Sequence, residues 1–365
     1  MHILHVVGAR PNFMKAAPVI RALRAHNGVR QTLVHTGQHY DATMSDVFFQ
    51  QLGMPEPDRN LGVGSGTHAQ QTAAVMTVFE PVLNERKPDL VLVYGDVNST
   101  IAAALVCSKL GVRVGHVEAG LRSRDRSMPE EINRILTDQL SDVLFTPSPD
   151  GDENLLKEGI EKSRIHRVGN VMIDSLTTLL ASAKACFPPD VNPPYALVTL
   201  HRPSNVDDLP WLQELLDTLS DLSSQLTVVF PVHPRTRQRL HDLGPAKKLI
   251  ANSRLRLLDP LPYLTFIALQ LQAAVVITDS GGIQEETTFL GVPCLTVREN
   301  TERPITLTLG TNQLVGRDLG KLRNAVNQIL ASPRHSSSPD PARIPLWDGH
   351  AADRIASVIT CPAGF

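Results

Sequence analysis

The chain has 365 residues, of which 42% are hydrophobic and 20% charged, with a formal net charge of −2. That length holds two α/β domains of ordinary size, each with a substantial core. So balanced a charge gives no electrostatic case for nucleic acid or an anionic membrane surface, and no apolar run approaches the roughly 18 residues that span a bilayer.

Cys107, Cys186, Cys294 and Cys361 are scattered without CxxC spacing. Neither a disulfide framework nor a zinc knuckle is suggested, and a reducing compartment fits. The N-terminus enters a strand-like run, His2 to Val7, at once. That leaves no room for a signal peptide, so a cytoplasmic protein is expected.

The first half alternates strand-like and helix-like segments. His2–Gly8, Gln31–Gly37, Leu90–Gly95, Arg113–Glu118 and Val143–Pro147 are short, rich in Val, Ile and Leu, and closed by turn residues. Between them lie amphipathic segments such as Met14–Ala25, Ala69–Arg86 and Thr100–Leu110. Such alternation predicts a parallel sheet covered on both faces. Gly62-Val63-Gly64-Ser65-Gly66 lacks the dinucleotide spacing Gly-x-Gly-x-x-Gly and reads as a loop before a helix.

Arg164–Gly169 reads as one more strand and Val171–Lys184 as a helix. The proline cluster from Phe187 to Pro194 then stiffens the chain and stops helices, as a linker would. After it the pattern restarts with strand candidates Tyr195–Leu200, Thr227–Val232, Arg254–Leu258, Ala273–Thr278 and Pro293–Val297. Ser332 to Ile344 is Ser/Pro-rich and reads as an exposed excursion, and Gly349–Thr360 as a final helix. The expectation is α/β: two Rossmann-like domains, residues 1–186 and 187–348, facing across a cleft, with 349–365 packing back on the first.

The stretch Asp279-Ser280-Gly281-Gly282-Ile283-Gln284-Glu285-Glu286 joins a buried-type strand to a helix. A glycine turn there aims unpaired backbone N–H groups and a helix dipole at one point, which suits phosphate. Ser280 is a candidate cap for that helix. The acidic pair would complement the dipole in the first turn or take sugar hydroxyls. A serine nucleophile elbow is disfavoured, because Gly-x-Ser-x-Gly would need Gly where Thr278 stands. The ordinary reading is a capped helix after a strand.

In open α/β sheets ligands sit at the carboxyl ends of strands. Arg10, Lys15, Asp96, Glu118, His201, His233, Ser280 and Arg303 all fall at or just after predicted strand ends. Each also has an ordinary reading: Asp96 as a helix N-cap, either histidine as a hydrogen-bonded core or surface group, Arg10-Pro11 as a turn. Arg10, Lys15, Arg303 and a helix N-terminus would together neutralise a diphosphate. Asp96, Glu118, Glu130 and His201 would move protons. No HExxH, cysteine cluster or Walker A sequence points to a catalytic metal or to P-loop hydrolysis.

Gly8-Ala9-Arg10-Pro11…Lys15, Gly37-Gln38-His39, Val93-Tyr94-Gly95-Asp96, Gly115 to Arg122, Pro129 to Arg134, Thr278 to Glu286, Thr301-Glu302-Arg303-Pro304 and Asp348-Gly349-His350-Ala351…Arg354-Ile355 stand in this order along the chain. Together these motifs resemble the non-hydrolysing UDP-N-acetylglucosamine 2-epimerases. The resemblance runs nearly end to end. It implies a glycosyltransferase-B type fold, a homodimer, a UDP-sugar substrate and no redox cofactor. It further implies that UDP leaves carbon 1 as the carbon 2 proton is abstracted. A 2-acetamidoglucal stays bound, and reprotonation on the other face with re-addition of UDP gives UDP-N-acetylmannosamine. By the same resemblance Asp96, Glu118, Glu130 and His201 correspond to the catalytic set. Arg10, Lys15, Ser280, Gly281, Gly282, Glu286 and Arg303 correspond to UDP-contacting positions, with Leu261 and Phe266 near the uracil. His233 joins the substrate-binding set from its strand-end position. Alternatives are a relative acting on a UDP-diacetamido uronic acid, a hydrolysing epimerase, a UDP-sugar glycosyltransferase and a catalytically silent sensor.

The chain departs from the family pattern in three places, one of them a segment between Leu121 and Pro129 that is about two residues shorter. Asn12 stands where an acid is frequent, and the histidine motif reads His201-Arg202-Pro203-Ser204-Asn205 in place of His-Arg-Arg-Glu-Asn. In some bacterial members a second UDP-GlcNAc activates the enzyme through the Gln-His and Arg-Arg-Glu stretches. Asp41 and Pro203 stand where polar or basic groups would serve that site, so activation should be weak or absent. Initial rates from UDP-ManNAc are therefore expected without added UDP-GlcNAc, and complete dependence on it would refute this.

Overall fold

The computed structural model describes residues 1–38, 52–242, 254–332 and 343–361. Asp41, His39 and most of the Ser/Pro-rich stretch lie outside them. The chain divides into two compact units: residues 1–177 with the chain from Pro345 onward, and residues 178–344. The division falls inside the helix Val171–Lys184. Among the described residues no helix is long and apolar enough to cross a membrane.

The first unit is built on a seven-stranded parallel sheet. Its strands are β1 (His2–Val7), β2 (Arg30–His35), β3 (Arg59–Asn60), β4 (Leu90–Tyr94), β5 (Val114–Val117), β6 (Val143–Thr146) and β7 (Ile165–Arg167), in the order β3-β2-β1-β4-β5-β6-β7. β4 reads Leu-Val-Leu-Val-Tyr and is wholly buried, as a parallel strand covered on both faces must be. Helices α1 (Arg10–Arg24), α2 (His68–Arg86), α3 (Asn98–Leu110), α4 (Pro129–Leu140), α5 (Pro149–Lys157) and α6 (Val171–Lys184) fall between or after these strands. α1 begins four residues earlier than the periodicity from Met14 suggests. Pro11 sits in its first turn, where its missing N–H costs nothing. Asn12 reaches back to the turn before it. The glycine-rich loop before α2 is closed by Thr67, whose side chain accepts from Gln70 N.

The second unit repeats the plan with six parallel strands, in the order β10-β9-β8-β11-β12-β13. These are β8 (Tyr195–Thr199), β9 (Thr227–Pro231), β10 (Leu255–Leu258), β11 (Val275–Thr278), β12 (Cys294–Thr296) and β13 (Asn312–Leu314). Helices α7 (Pro203–Val206), α8 (Leu209–Leu222), α9 (Pro234–Asp242), α10 (Tyr263–Gln272), α11 (Gly281–Leu290), α12 (Ile305–Thr308) and α13 (Leu319–Ala331) accompany them. Leucines at 212, 215, 216, 219 and 222 lay one face of α8 on this sheet, each burial worth roughly 1.5–3 kcal/mol.

The last helix, α14 (Ala351–Thr360), packs on α1 of the first unit. The Asp174 carboxylate, on α6, caps it by accepting from Ala351 N at 3.2 Å and Ala352 N at 2.7 Å. Trp347 Nε1 donates to Pro147 O at 2.8 Å just before it.

In each sheet the order reverses between two central strands, β1 and β4 in the first unit, β8 and β11 in the second. Chains leaving the carboxyl ends of such a pair diverge and open a crevice, where ligands of doubly wound folds bind.

Candidate active site

At the first of these reversals β1 runs into the turn at Gly8 and Ala9. Asn12 Oδ1 accepts from both backbone N–H groups at 3.0 Å, and its Nδ2 donates to Tyr94 O at 2.7 Å. One buried amide thus ties the end of β1 to the end of β4. Arg10 opens α1. Lys15, one turn further along, is buried with its ammonium against the Glu118 carboxylate.

Glu118 follows β5 with φ +75°. A residue with a side chain is costly in that region, by roughly 1–3 kcal/mol, and such strain gathers at functional sites. The turn is held by Phe145 O, which accepts from Glu118 N at 3.1 Å and Ala119 N at 3.0 Å.

β4 and β5 are neighbours with Tyr94 opposite Val117, so Asp96 and Glu118 leave adjacent strand ends. Asp96 is not a helix cap, because Val97 holds the N-cap position of α3. Its carboxylate pairs with Arg134, and its carbonyl accepts from Asn133 Nδ2 at 2.9 Å. Arg134 also pairs with Glu131 at 2.8 Å. Glu131 in turn accepts from Ser123 N at 2.9 Å and Arg124 N at 2.8 Å. Burial alone would raise the Glu131 pKa, but these donors and the guanidinium hold it below the ordinary value. Glu130, beside it in the first turn of α4, is half-buried.

In the second unit the anchor is Asp279, fully buried after β11. Its carboxylate accepts from His201 N at 3.1 Å, Arg202 N at 2.9 Å and Asn205 Nδ2 at 3.1 Å. Asp279 Oδ1 also lies 3.2 Å from His201 Nδ1. The His201 and His233 rings stand 5.9 Å apart. Burial, then the charge of His201, lowers the His233 pKa.

Ser280 occupies the N-cap position of α11 in extended conformation, but its side chain makes no capping bond. Nor does the acidic pair lie in the first turn, which holds no acid because α11 begins at Gly281. Glu285 and Glu286 are buried further along. Glu286 accepts from Tyr263 Oη and Gln270 Nε2, both at 2.6 Å, and burial raises its pKa. Glu285 pairs with Arg303 Nε at 2.8 Å.

Arg303 crosses the start of α11. A Cβ on Gly281 would overlap its guanidinium and the Glu302 carboxylate, so any larger residue there displaces the ends of those two side chains. Glu302 pairs with Arg303 at 2.5 Å and Arg298 at 2.7 Å, with Arg202 at 3.7 Å. Gly282 is half-buried in the same turn, and Leu261 and Phe266 are half-buried just before and just after the start of α10.

The structure therefore gathers Lys15, Asp96 and Glu118 at one reversal. It gathers His201, His233, Ser280, Gly281 and Arg303 around the other. Sequence reasoning named neither Asp279 nor Arg134 as an organiser, nor the carboxylates that hold Arg303. The i,i+3 spacing of Glu131 and Arg134 was the one visible signal for these partners.

The family profile described as UDP-N-acetylglucosamine 2-epimerase matches residues 21–360. A UDP-N-acetylglucosamine 2-epimerase of Methanococcus maripaludis is 42% identical over 363 residues, covering 97% of this chain and 97% of that protein. A UDP-2,3-diacetamido-2,3-dideoxy-D-glucuronate 2-epimerase of Pseudomonas aeruginosa is 44% identical over 365 residues, covering 98% and 99%. The crystal structure of Methanocaldococcus jannaschii UDP-GlcNAc 2-epimerase in complex with UDP-GlcNAc and UDP superposes with a TM-score of 0.89 at 41% identity, covering 99% of each chain. The expected fold class, two parallel-sheet α/β domains of the glycosyltransferase-B type, is the one found.

The charge cluster under Arg303 has a testable consequence. Burial alone would raise the Glu302 pKa, but the charges of Arg303 and Arg298 hold it well below its ordinary value of 4.5. The stability this supplies is present above pH 4.5 and is lost as pH falls towards the folded value. Glu302→Gln removes one partner of a buried cluster, a change that costs roughly 3–5 kcal/mol. It should lower the Tm at pH 7 and flatten the acid limb of the stability curve. Thermal unfolding across pH checks both, and a wild-type Tm and acid limb would contradict the cluster's role.

Proposed function

Because the chain belongs to the UDP-N-acetylglucosamine 2-epimerase family, we propose that it interconverts UDP-N-acetylglucosamine and UDP-N-acetylmannosamine by eliminating and re-adding UDP. The observation that carries this reading is the pair of carboxylates, Asp96 and Glu118, on adjacent strand ends, each against a cation. A proton on carbon 2 is weakly acidic, so its removal needs a positioned carboxylate sheltered from water. The bond from carbon 1 to the diphosphate oxygen breaks with its electron pair leaving on UDP, and the carbon 2 proton passes to the carboxylate. The new double bond between carbons 1 and 2 is the 2-acetamidoglucal. Return of a proton to the opposite face of carbon 2, with UDP re-added at carbon 1, completes the inversion.

The departing diphosphate takes up negative charge, which suits Arg10, Lys15, Arg303 and the N–H groups of the Ser280-Gly281-Gly282 turn. Glu130 and His201 complete the proton-transfer set in this reading. Leu261 and Phe266 offer apolar surface for the uracil, and His233 and Glu286 belong to the nucleotide contacts. No redox step is needed, so the reading calls for no redox cofactor.

A second reading rests on the 44% identity to the Pseudomonas aeruginosa uronate 2-epimerase. The same elimination on a UDP-diacetamido uronic acid would use the same carboxylates, and the two substrates compared at equal concentration decide which has the larger kcat/KM.

Incubation with UDP-N-acetylglucosamine alone should give a second anomeric proton signal by NMR, with neither acceptor nor free sugar. Asp96→Asn and Glu118→Gln should each cut turnover by about two or more orders of magnitude while UDP binding is retained. Near-normal turnover in both would remove the assignment.

We also infer a homodimer. Ile132 and Leu136, one turn apart on α4, are 42% and 46% exposed, an apolar stripe of the kind a twofold interface covers. Sedimentation as a monomer at micromolar concentration would exclude it.

A further inference from the structure

Beneath the two carboxylates lies a fully buried imidazole that the proposed reaction does not use. His116 is in β5. Its Nε2 donates to Gly95 O at 2.9 Å, and its Nδ1 lies 2.6 Å from Asp138 Oδ1. Both ring nitrogens face oxygens, so the ring is held on both sides. The other Asp138 oxygen accepts from Gly120 N at 3.1 Å and pairs with Arg122 at 2.8 Å. Burial alone would raise the Asp138 pKa, but His116 and Arg122 hold it below its ordinary value. Arg122 is itself paired with Glu158 at 2.6 Å.

Gly95 precedes Asp96, and Gly120 follows Glu118 by two residues. The His116–Asp138 pair therefore grips both turns at once. Three successive carbonyls at the end of β4 are held by side chains. Tyr94 O accepts from Asn12 Nδ2 at 2.7 Å and Thr100 Oγ1 at 2.9 Å, Gly95 O from His116, and Asp96 O from Asn133 Nδ2 at 2.9 Å. Of these donors, His116 is the one whose other side is tied, through Asp138, to the turn that carries Glu118.

We infer that His116 is a positioning residue for the epimerisation: through Gly95 O and the Asp138–Gly120 link it sets the spacing between Asp96 and Glu118. The ring touches no reacting atom. Its effect is geometric, and displacement of a reacting group by about 1 Å costs roughly a hundredfold in rate. The inference rests on the proposed reaction, and two substitutions separate it from a merely structural role. Gln carries its amide near the Nε2 position and can still donate to Gly95 O while losing Asp138. Asn carries its amide near Nδ1 and can keep Asp138 while losing Gly95 O.

The expected result is that His116→Asn and His116→Gln each lower kcat by roughly ten- to a hundredfold with KM within about threefold, since each cuts one side of the bridge. In ligand-free protein, amide exchange at Asp96 and Val97 should quicken more in His116→Asn than in His116→Gln. If His116→Asn does not fold, Asp138→Asn serves, with kcat lowered and UDP affinity retained. Wild-type kcat and exchange in a folded His116→Asn or Asp138→Asn protein would overturn the inference. So would a loss of kcat in the Asn and Gln variants with unchanged exchange. Wild-type protein inactive on both UDP-sugars would instead overturn the proposed reaction, and the exchange measurement would still decide whether His116 holds the turn.

Discussion

A carboxylate removed from water needs a cation or hydrogen-bond donors beside it, and the strand ends of both sheets are organised by that requirement. Glu118 has Lys15, and Asp96 shares Arg134 with Glu131. Asp138 lies between His116 and Arg122, and Glu302 between Arg298 and Arg303. Taking an ion out of water costs several kcal/mol, and its partner's attraction returns that cost without a large surplus. The pairs are therefore poor sources of stability and good sources of geometry. Each charge has one low-energy place to be, because any other leaves an opposite charge buried alone.

The sheets decide where these charges collect. A parallel strand leaves its last carbonyls without ladder partners, and in a buried crevice those carbonyls still need donors. At the end of β4 the donors are side chains of Asn12, Thr100, His116 and Asn133, from four different elements. Satisfying the backbone thus locks the turn that carries Asp96. At the end of β8 the roles invert. There a side-chain carboxylate, Asp279, satisfies the orphan N–H groups of His201 and Arg202. In each sheet the polar residues with chemistry to offer sit where backbone accounting and topology already bring polar groups together.

Strand and helix order was legible because the periodicity is strong. Leu90–Tyr94 and Val275–Thr278 are runs so apolar that a doubly covered parallel sheet is the natural home for them. Lys15, Asp96 and Glu118 were legible as rim residues because strand ends fix where a turn begins. Their partners were not, because an ion pair between Lys15 and Glu118 spans 103 positions of sequence and leaves no periodic trace. The stretch from Asp279 to Glu286 misled for a related reason. A strand, two glycines and two acids suggest a capped, dipole-complemented helix. The tertiary position of Arg303 draws Glu285 into a buried pair, and Tyr263 with Gln270 draws in Glu286. Local chemistry proposed partners that long-range contacts overrode.

Asn12 shows how one departure from a family pattern follows from the same accounting. Its Oδ1 faces two N–H groups and its Nδ2 faces a carbonyl, so the amide orientation is settled by its neighbours. An ionised acid there accepts the two N–H groups but has no proton for Tyr94 O, and two acceptors would face each other in a buried site. With asparagine the β1 turn and the β4 end are held by one neutral group, and Lys15 pairs with Glu118. An acid at position 12 would add a negative charge within a turn of Lys15. The neutral amide therefore does more than replace a hydrogen bond: it adds no negative charge within a turn of Lys15, which pairs with Glu118.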